Sequence, residues 1–555
     1  MQGLMFDSQL LLHSLLWRTE RLFAKKEIVT RLGPGEYHRY TYQDFGKRSR
    51  RLGDALKKLG LAPGERVGSL AWNTYRHLET HFAVPGIQSV LHTINLRLSP
   101  RQQKFTIDKA EDRFLLVDVD QLDLVAELLD MGLPSVERVI VYADGPVPEH
   151  RIELPVHSYE ELLADADENV QFAEFDEKSA AAMCFTSATT GDPKGVIYSH
   201  RAMVLQAMCL AMHDKLNMSE SQIWLEVAPM FHINGWNIPH TALLQGATLV
   251  LPGAHPSPAD YVDIIEELGV TGMNAAVTIG TMIRDVVRAS DRPRNLSTLD
   301  TLWLGGQAPS KAIMKWFNDE YSTEVMQGYG MTENSPQICF FALKSNLAGG
   351  TEDEIYSLRQ TQGLPLPLLQ IKIVNAETGE ELPWDGVSMG DFHVRSPFTA
   401  SEYYRDDRTK DSMIDGWLKT GDVGCIDPEG YVLLKDRSKD LIKSGGEWIS
   451  TIDLENALML HPKVGEAAVV GIENEKWLER PLACVVPTDP SITEDELREH
   501  LLAHGFIRLW IPDTFLFVPE VPKTNIGKFD KKAIRGVIAD EGLELARTKL
   551  GATGS

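Results

Sequence analysis

Between residues 186 and 195 the chain runs Thr-Ser-Ala-Thr-Thr-Gly-Asp-Pro-Lys-Gly. Thr186, Ser187, Thr189, Thr190, Gly191, Lys194 and Gly195 gather hydroxyls, a permissive backbone and one cation in a single stretch. Such a loop can offer side-chain hydroxyls, backbone N–H groups and an ammonium to a polyphosphate. The GxxxxGK[ST] spacing of the common phosphate loop is absent. On residue types alone, a Thr-rich surface turn fits equally well. A second pair, His232 and Trp236, stands four apart; a lone His beside an aromatic is ordinarily core.

The elements that must hold these residues alternate between strand and helix. Val67 to Ala71, Phe114 to Val119 and Arg138 to Tyr142 read as strands, and a helix follows from about Tyr75. This alternation implies an α/β fold with a mainly parallel sheet and helices on its faces. Ala180 to Phe185 is a short apolar run, followed by the Thr-rich turn and a helix from about Ser199. Met203, Val204, Ala207, Met208, Ala211 and Met212 fall at helical spacing there and predict a core-facing stripe. A second unit begins near Asp436, after the strand-like Tyr431 to Leu434. It continues with a helix over Thr451 to Leu460, a strand over Ala467 to Val470 and a further helix. That helix has a capping-box pair, Thr493 with Glu496, and a stop at Gly505.

Length and composition bound the possibilities. The 555 residues exceed one ordinary core and suit two or three domains. A hydrophobic share of 43% with 24% charged residues is that of a soluble globular enzyme. The formal charge of −24 argues against broad nucleic-acid binding. Cys184, Cys209, Cys339, Cys425 and Cys484 are scattered without a CxxC pair, which suits a reducing cytoplasm and disfavours structural zinc. The apolar stretch Leu10 to Trp17 reads as a buried amphipathic helix rather than a signal peptide. No apolar run is long enough for an integral membrane segment. The tail GATGS reads as disordered.

TSATTGDPKG resembles the phosphate-loop signature of the adenylate-forming superfamily, usually written [ST]SG[ST]TGxPKG. In order along the chain, VAPMFHINGW (227–236), LGGQAPS (304–310), QGYGMTENSP (327–336), GWLKTGD (416–422), KDRSKDLIKSGGEWIS (435–450) and PKTNIGK (522–528) resemble that superfamily's other signatures. HTIN (92–95), MFHINGW and IKSGGEWIS bring the chain closest to the medium- and long-chain fatty acyl-CoA synthetases. The resemblance implies a large N-terminal domain over 1–435 with mixed, mainly parallel sheets and flanking helices. It implies a hinge over 436–441 and a small, mobile α+β domain over 442–555.

The implied reaction joins a carboxylic acid to coenzyme A through acyl-AMP, at the expense of ATP and with Mg²⁺. By resemblance, Thr186, Ser187, Ala188, Thr189, Thr190, Gly191 and Lys194 receive the phosphates. Gly305, Gly306, Gln307, Gly328, Tyr329, Gly330, Met331 and Thr332 line the nucleotide pocket. Asp422, with Arg437, takes the ribose, and Thr186 and Glu333 stand near Mg²⁺. Lys528 is the adenylation lysine, and His232 borders the acyl carboxylate and the pantetheine tunnel. Trp236 gates the acyl tunnel. Asp436, Lys439, Lys443, Gly445, Gly446, Glu447 and Trp448 form the hinge and the CoA-facing stretch. The resemblance implies a homodimer.

Two departures stand out. Ala188 occupies the loop's usual third glycine. If that position needs φ > 0, the methyl costs about 1 kcal/mol or more. A tolerated variant with slower adenylation is the expectation; an impaired enzyme is the alternative. In NAAVTIGTM (274–282), Val277 replaces a usual proline and Gly280 a usual bulky residue, which predicts extra volume in the acyl pocket. The other readings are an acyl-AMP ligase serving a carrier protein, an aryl-acid CoA ligase, and a non-catalytic acyl-AMP or nucleotide sensor.

Overall fold

The computed structural model describes residues 1, 3–186, 192–437, 439–444, 447–474, 476–523 and 529–549. Ser187, Ala188, Thr189, Thr190, Gly191, Gly445, Gly446, Lys528 and the tail 551–555 lie outside them. The structure is mixed α/β, with two large, mainly parallel sheets followed by two smaller ones.

The seven-stranded sheet contains the predicted strands Arg66–Leu70, Asp112–Asp118, Arg138–Tyr142 and Ala180–Phe185. The nine-stranded sheet is parallel through its centre, where Ile223–Glu226, Gly272–Ala276, Thr301–Gly305 and Glu324–Gly330 lie side by side. Parallel strands need both faces covered. Helices Leu12–Leu22, Tyr42–Lys58, Tyr75–Gly86, His200–Ala211 and Ile238–Gln245 supply cover, sharing one core with Trp224 and Trp303 of one sheet and Ala181 of the other. The opposite face of the nine-stranded sheet packs Leu302 and Leu304 against Val277 and Ile283 of helix Val277–Ala289.

Three local expectations change. The Thr-rich turn does not lead directly into a helix. It joins Ala180–Phe185 to an antiparallel strand, Gly195–Ser199, and the helix begins only after Ser199 caps it. The methionine stripe is split: Met203 is buried, whereas Met208 and Met212 are 48% and 42% exposed. Only half the capping box forms at Thr493, whose side chain accepts from the Glu496 N–H, while the Glu496 carboxylate turns to Lys463 Nζ at 2.9 Å. That non-local ion pair displaces the local hydrogen bond. Leu12, Leu15 and Leu16 of the first helix are buried as expected.

A six-stranded antiparallel sheet holds Trp417–Ile426 and, paired to it, Val432–Arg437. The next strand, Ile442–Ser444, belongs to a different, five-stranded sheet with Glu447–Ile449, Val464–Asn474, Leu478–Pro487 and Thr514–Phe517. Helices Thr451–Met459, Glu494–Ala503 and Lys531–Lys549 accompany this last sheet.

Candidate active site

The carboxyl ends of parallel strands are where open α/β sheets bind ligands. In the nine-stranded sheet, Gly305 and Gly328 are register partners at such ends. A Cβ on Gly305 would lie 2.9 Å from the Trp236 indole, and one on Gly328 would lie 2.5 Å from Trp303 Nε1. The two indoles sit 5.1 Å apart. These glycines therefore admit a pair of tryptophans on one side of the sheet. Beyond Gly305 the chain turns through Gly306 at φ +90°, a conformation suited to glycine, and Gly306 and Gln307 are exposed.

Tyr329 is buried, and its hydroxyl donates to Asp422 Oδ2. Asp422 is 1% exposed and pairs in register with Arg437 across two antiparallel strands. Arg437 Nε lies 2.7 Å from Asp422 Oδ1, and the neighbouring carboxylate pushes the guanidinium pKa up. The contact is an ion pair without hydrogen-bond alignment. Among the described residues, Oδ1 has no aligned donor. Burial, reinforced by Asp422, holds the Tyr329 phenol well above its ordinary range, so it remains a donor.

The neck of the Thr-rich turn is closed from both sides. Thr186 N–H donates to the Lys194 carbonyl at 2.9 Å, and Lys194 N–H donates to Thr186 Oγ1 at 3.1 Å. Burial lowers the Lys194 pKa, against the opposing pull of Glu333. Its ammonium lies 4.1 Å from the centre of the Tyr403 ring, and Tyr403 Oη donates to Glu333 Oε1 at 2.6 Å. Glu333 is buried in a short 3₁₀ turn with Thr332, whose carbonyl accepts from Tyr198 Oη at 2.8 Å. Met331 is buried and Gly330 exposed at the strand's end. Sequence reasoning missed Tyr403 and Trp303. An aromatic between two motif stretches carries no spacing that marks it.

His232 and Trp236 flank a distinctive turn. Ile233, Asn234, Gly235, Trp236 and Asn237 have φ of 49°, 51°, 63°, 53° and 62°. This is one turn of left-handed backbone with a single glycine. Asparagine visits that region readily; Ile and Trp do not. Asn237 Nδ2 ties the turn to the Met203 carbonyl at 2.9 Å. His232 and Trp236 are both half-buried.

The structure does not bring Trp236 together with Val277 and Gly280. Alternate residues of a strand face opposite sides. Trp303 and Gly305 face Trp236, so Leu304 faces away. A Cβ on Gly280 would lie 3.2 Å from a Leu304 methyl, and Val277 packs in that same opposite core. The volume predicted at Gly280 is filled by Leu304. Gly280→Trp is therefore expected to lower stability by about 1–3 kcal/mol through overpacking. A thermal melt should show the lower midpoint, and activity on short and long acids should fall alike rather than for large acids alone.

In the hinge region, Asp436 is 1% exposed, and its Oδ2 accepts from Thr451 N–H at 2.8 Å and from the Thr451 hydroxyl. Burial holds its carboxyl above the usual range, opposed by Lys531. Lys531 Nζ in turn lies 2.8 Å from Glu455. Lys439 is exposed. Lys443 and Trp448 pair across the strands on either side of positions 445–446, with Lys443 Nζ 4.9 Å from the half-exposed indole, and Glu447 begins the second strand.

The chain matches the AMP-binding enzyme family over residues 16–404 and the AMP-binding enzyme C-terminal domain over 453–528. It is 43% identical over 533 residues to the long-chain-fatty-acid–CoA ligase of Thermus thermophilus, covering 96% of each chain. It is 38% identical over 546 residues to the medium-chain-fatty-acid–CoA ligase of Ectopseudomonas oleovorans, covering 97% of this chain and 98% of that one. Its fold follows that of the anthranilate CoA ligase AuaEII solved with anthranoyl-AMP, with a TM-score of 0.83 at 24% identity over 95% of this chain and 97% of that one. Matched by both family models and by these relatives along almost its whole length, the chain belongs to the AMP-binding enzyme family, among the acyl-CoA ligases.

Proposed function

We propose that this protein activates a medium- to long-chain fatty acid or a bulky hydrophobic acid, first as acyl-AMP and then as the CoA thioester. The observation that carries the reading is the Asp422 carboxylate. It is buried, one oxygen is held by Tyr329, and the other lacks an aligned donor among the described residues. A carboxylate so placed suits the paired hydroxyls of a ribose. Arg437 then balances the charge.

In the first step a carboxylate oxygen of the acid attacks the α-phosphorus of ATP, and pyrophosphate leaves. Two anions must approach each other, so positioning and charge neutralisation dominate. Lys194 serves the polyphosphate and Lys528 the α-phosphate. Glu333 and Thr186 offer oxygen donors only, which fits Mg²⁺ held through few protein ligands. That ion, when bound, neutralises phosphate charge. In the second step the CoA thiolate, its proton already lost to solvent, attacks the acyl carbon, and AMP leaves with the bonding electrons. His232 borders the reacting carboxyl, and Trp236 controls entry of the acyl chain. The fold changes sheet between Arg437 and Ile442, which supports a hinge over 436–441 and rotation of residues 442–555. The hairpin bearing Lys443 and Trp448 then faces the pantetheine arm.

The test is AMP release from ATP with octanoate, palmitate and bulky cyclic or aryl acids, each with and without CoA. Release is expected with the aliphatic acids, rising with CoA and matched by thioester. AMP release with no thioester would favour delivery to another acceptor. No release with any acid would overturn the reading.

A further inference from the structure

Lys194 and Glu333 are residues of opposite charge, and Glu333 pulls the Lys194 pKa up against the effect of burial. No ion pair joins them among the described residues; Tyr403 stands between. Its ring lies under the Lys194 ammonium at 4.1 Å, and its hydroxyl donates to Glu333 Oε1 at 2.6 Å. Tyr403 is 4% exposed and is fixed from several directions. Its N–H donates to Thr409 Oγ1 at 3.0 Å. The next residue's N–H donates to the Gly195 carbonyl at 2.8 Å, at the neck of the Thr-rich turn. Ala400 N–H donates to the carbonyl of Glu333 itself at 2.7 Å. The segment 400–409 is thus a strap that registers the turn against Glu333.

We infer that Tyr403 is a positioning residue for the adenylation step, a wedge that keeps Lys194 and Glu333 from neutralising each other. The inference rests on the function proposed above. A lysine paired to a carboxylate is a poor ligand for phosphate, and the paired carboxylate is a poor ligand for a cation. A ring face attracts an ammonium less strongly than a partly desolvated carboxylate does. A phenol hydroxyl bonds a carboxylate without cancelling its charge. Tyr403 therefore holds both groups in place and leaves both charges available.

Two substitutions in the full chain separate the halves of the wedge. Tyr403→Phe keeps the ring and deletes the hydroxyl; Tyr403→Leu deletes both. Tyr403→Met stands in if the leucine variant does not fold. The first readout needs no turnover: competitive labelling of Lys194 by an amine-reactive reagent, read by mass spectrometry without substrates. Tyr403→Phe should label as the wild type does. Tyr403→Leu should let Lys194 reach Glu333 and label about tenfold more slowly, the effect of one pKa unit. Adding Glu333→Gln to Tyr403→Leu should restore the rate.

The second readout is acid-dependent pyrophosphate exchange. Tyr403→Phe should need about tenfold more Mg²⁺ for half-maximal exchange, with the KM for ATP little changed, since a lost hydrogen bond to a charged carboxylate is worth at least about that factor. Tyr403→Leu should also raise the KM for ATP. Both variants should keep thioester formation from supplied acyl-AMP. Unchanged Lys194 labelling in Tyr403→Leu, slowed labelling that Glu333→Gln does not restore, or a Mg²⁺ requirement unaltered in Tyr403→Phe would overturn the inference. If the wild type shows no acid-dependent exchange, the proposed function fails, and the labelling series still decides the wedge.

Discussion

Alanine at position 528 should cut acyl-AMP formation by about 10²–10³-fold, the usual loss when one preorganised charge-stabilising donor is removed. Thioester formation from supplied acyl-AMP should stay within about twofold of the wild type, because that step brings no two anions together at phosphorus. The assignment rests on the motif PKTNIGK; Lys528 itself lies outside the described residues. Its flanks are well anchored. Lys523 and Phe529 bridge each other antiparallel, Lys523 Nζ lies 2.7 Å from Glu466, and Phe529 packs on the small domain's second core. Lys528→Arg keeps the charge but not its compact point geometry, and should recover only part of the rate. Pyrophosphate exchange and thioester assays on the same preparation give the comparison. Equal loss in both half-reactions would break the assignment.

Asp422→Ala should behave differently and nearly as severely. A hydrogen bond to a charged group contributes about 1.5–3 kcal/mol, so losing the proposed ribose acceptor should raise the KM for ATP by about 10²-fold. Because AMP is still part of the acyl-AMP intermediate, the second half-reaction should weaken too, unlike in Lys528→Ala. The substitution also strips Tyr329 and Arg437 of their partner. Arg437 is 46% exposed and can turn to water, so stability should fall modestly while the Tyr329 ring loses its fixed orientation. Titrating ATP, acid and acyl-AMP separately reads these effects; an ATP dependence like that of the wild type would remove Asp422 from the nucleotide site.

What could be read in advance followed locality. Arg138–Tyr142 and Ala180–Phe185 are short apolar runs that announce buried strands. The glycine stop at Gly505 is a local backbone demand and sits at φ +88°. Strand Gly195–Ser199 was hidden because five residues between a loop and a helix cap carry little periodicity. Glu496 went astray because Lys463 competes for it from a distant turn. The side of the sheet that Gly280 occupies depends on the alternation of Trp303 and Leu304 in another strand, which no local pattern reveals. Tyr403 is the clearest case, since its chemistry comes wholly from residues far away in the chain. Asp422, by contrast, was marked by its motif, although its ion pair needed the strand register with Arg437.

The left-handed turn at residues 233–237 has a consequence for how acids are distinguished. Two of its five residues, Ile233 and Trp236, are neither glycine nor asparagine, and each costs about 1–2 kcal/mol relative to ordinary backbone. A relaxed arrangement therefore starts about 2–4 kcal/mol ahead on local terms, and the observed one persists through its surroundings. Glu226, Met230 and Pro239 crowd Gly235, with atoms 3.1–3.3 Å from where a side chain would begin. Such a balance responds steeply: about 1.4 kcal/mol shifts the two populations tenfold. An acyl chain that touches the two arrangements unequally would set how often Trp236 stands in place. With Trp236 as the proposed gate, discrimination would then reside in occupancy, with substrates sorted by how long that side chain dwells in each arrangement.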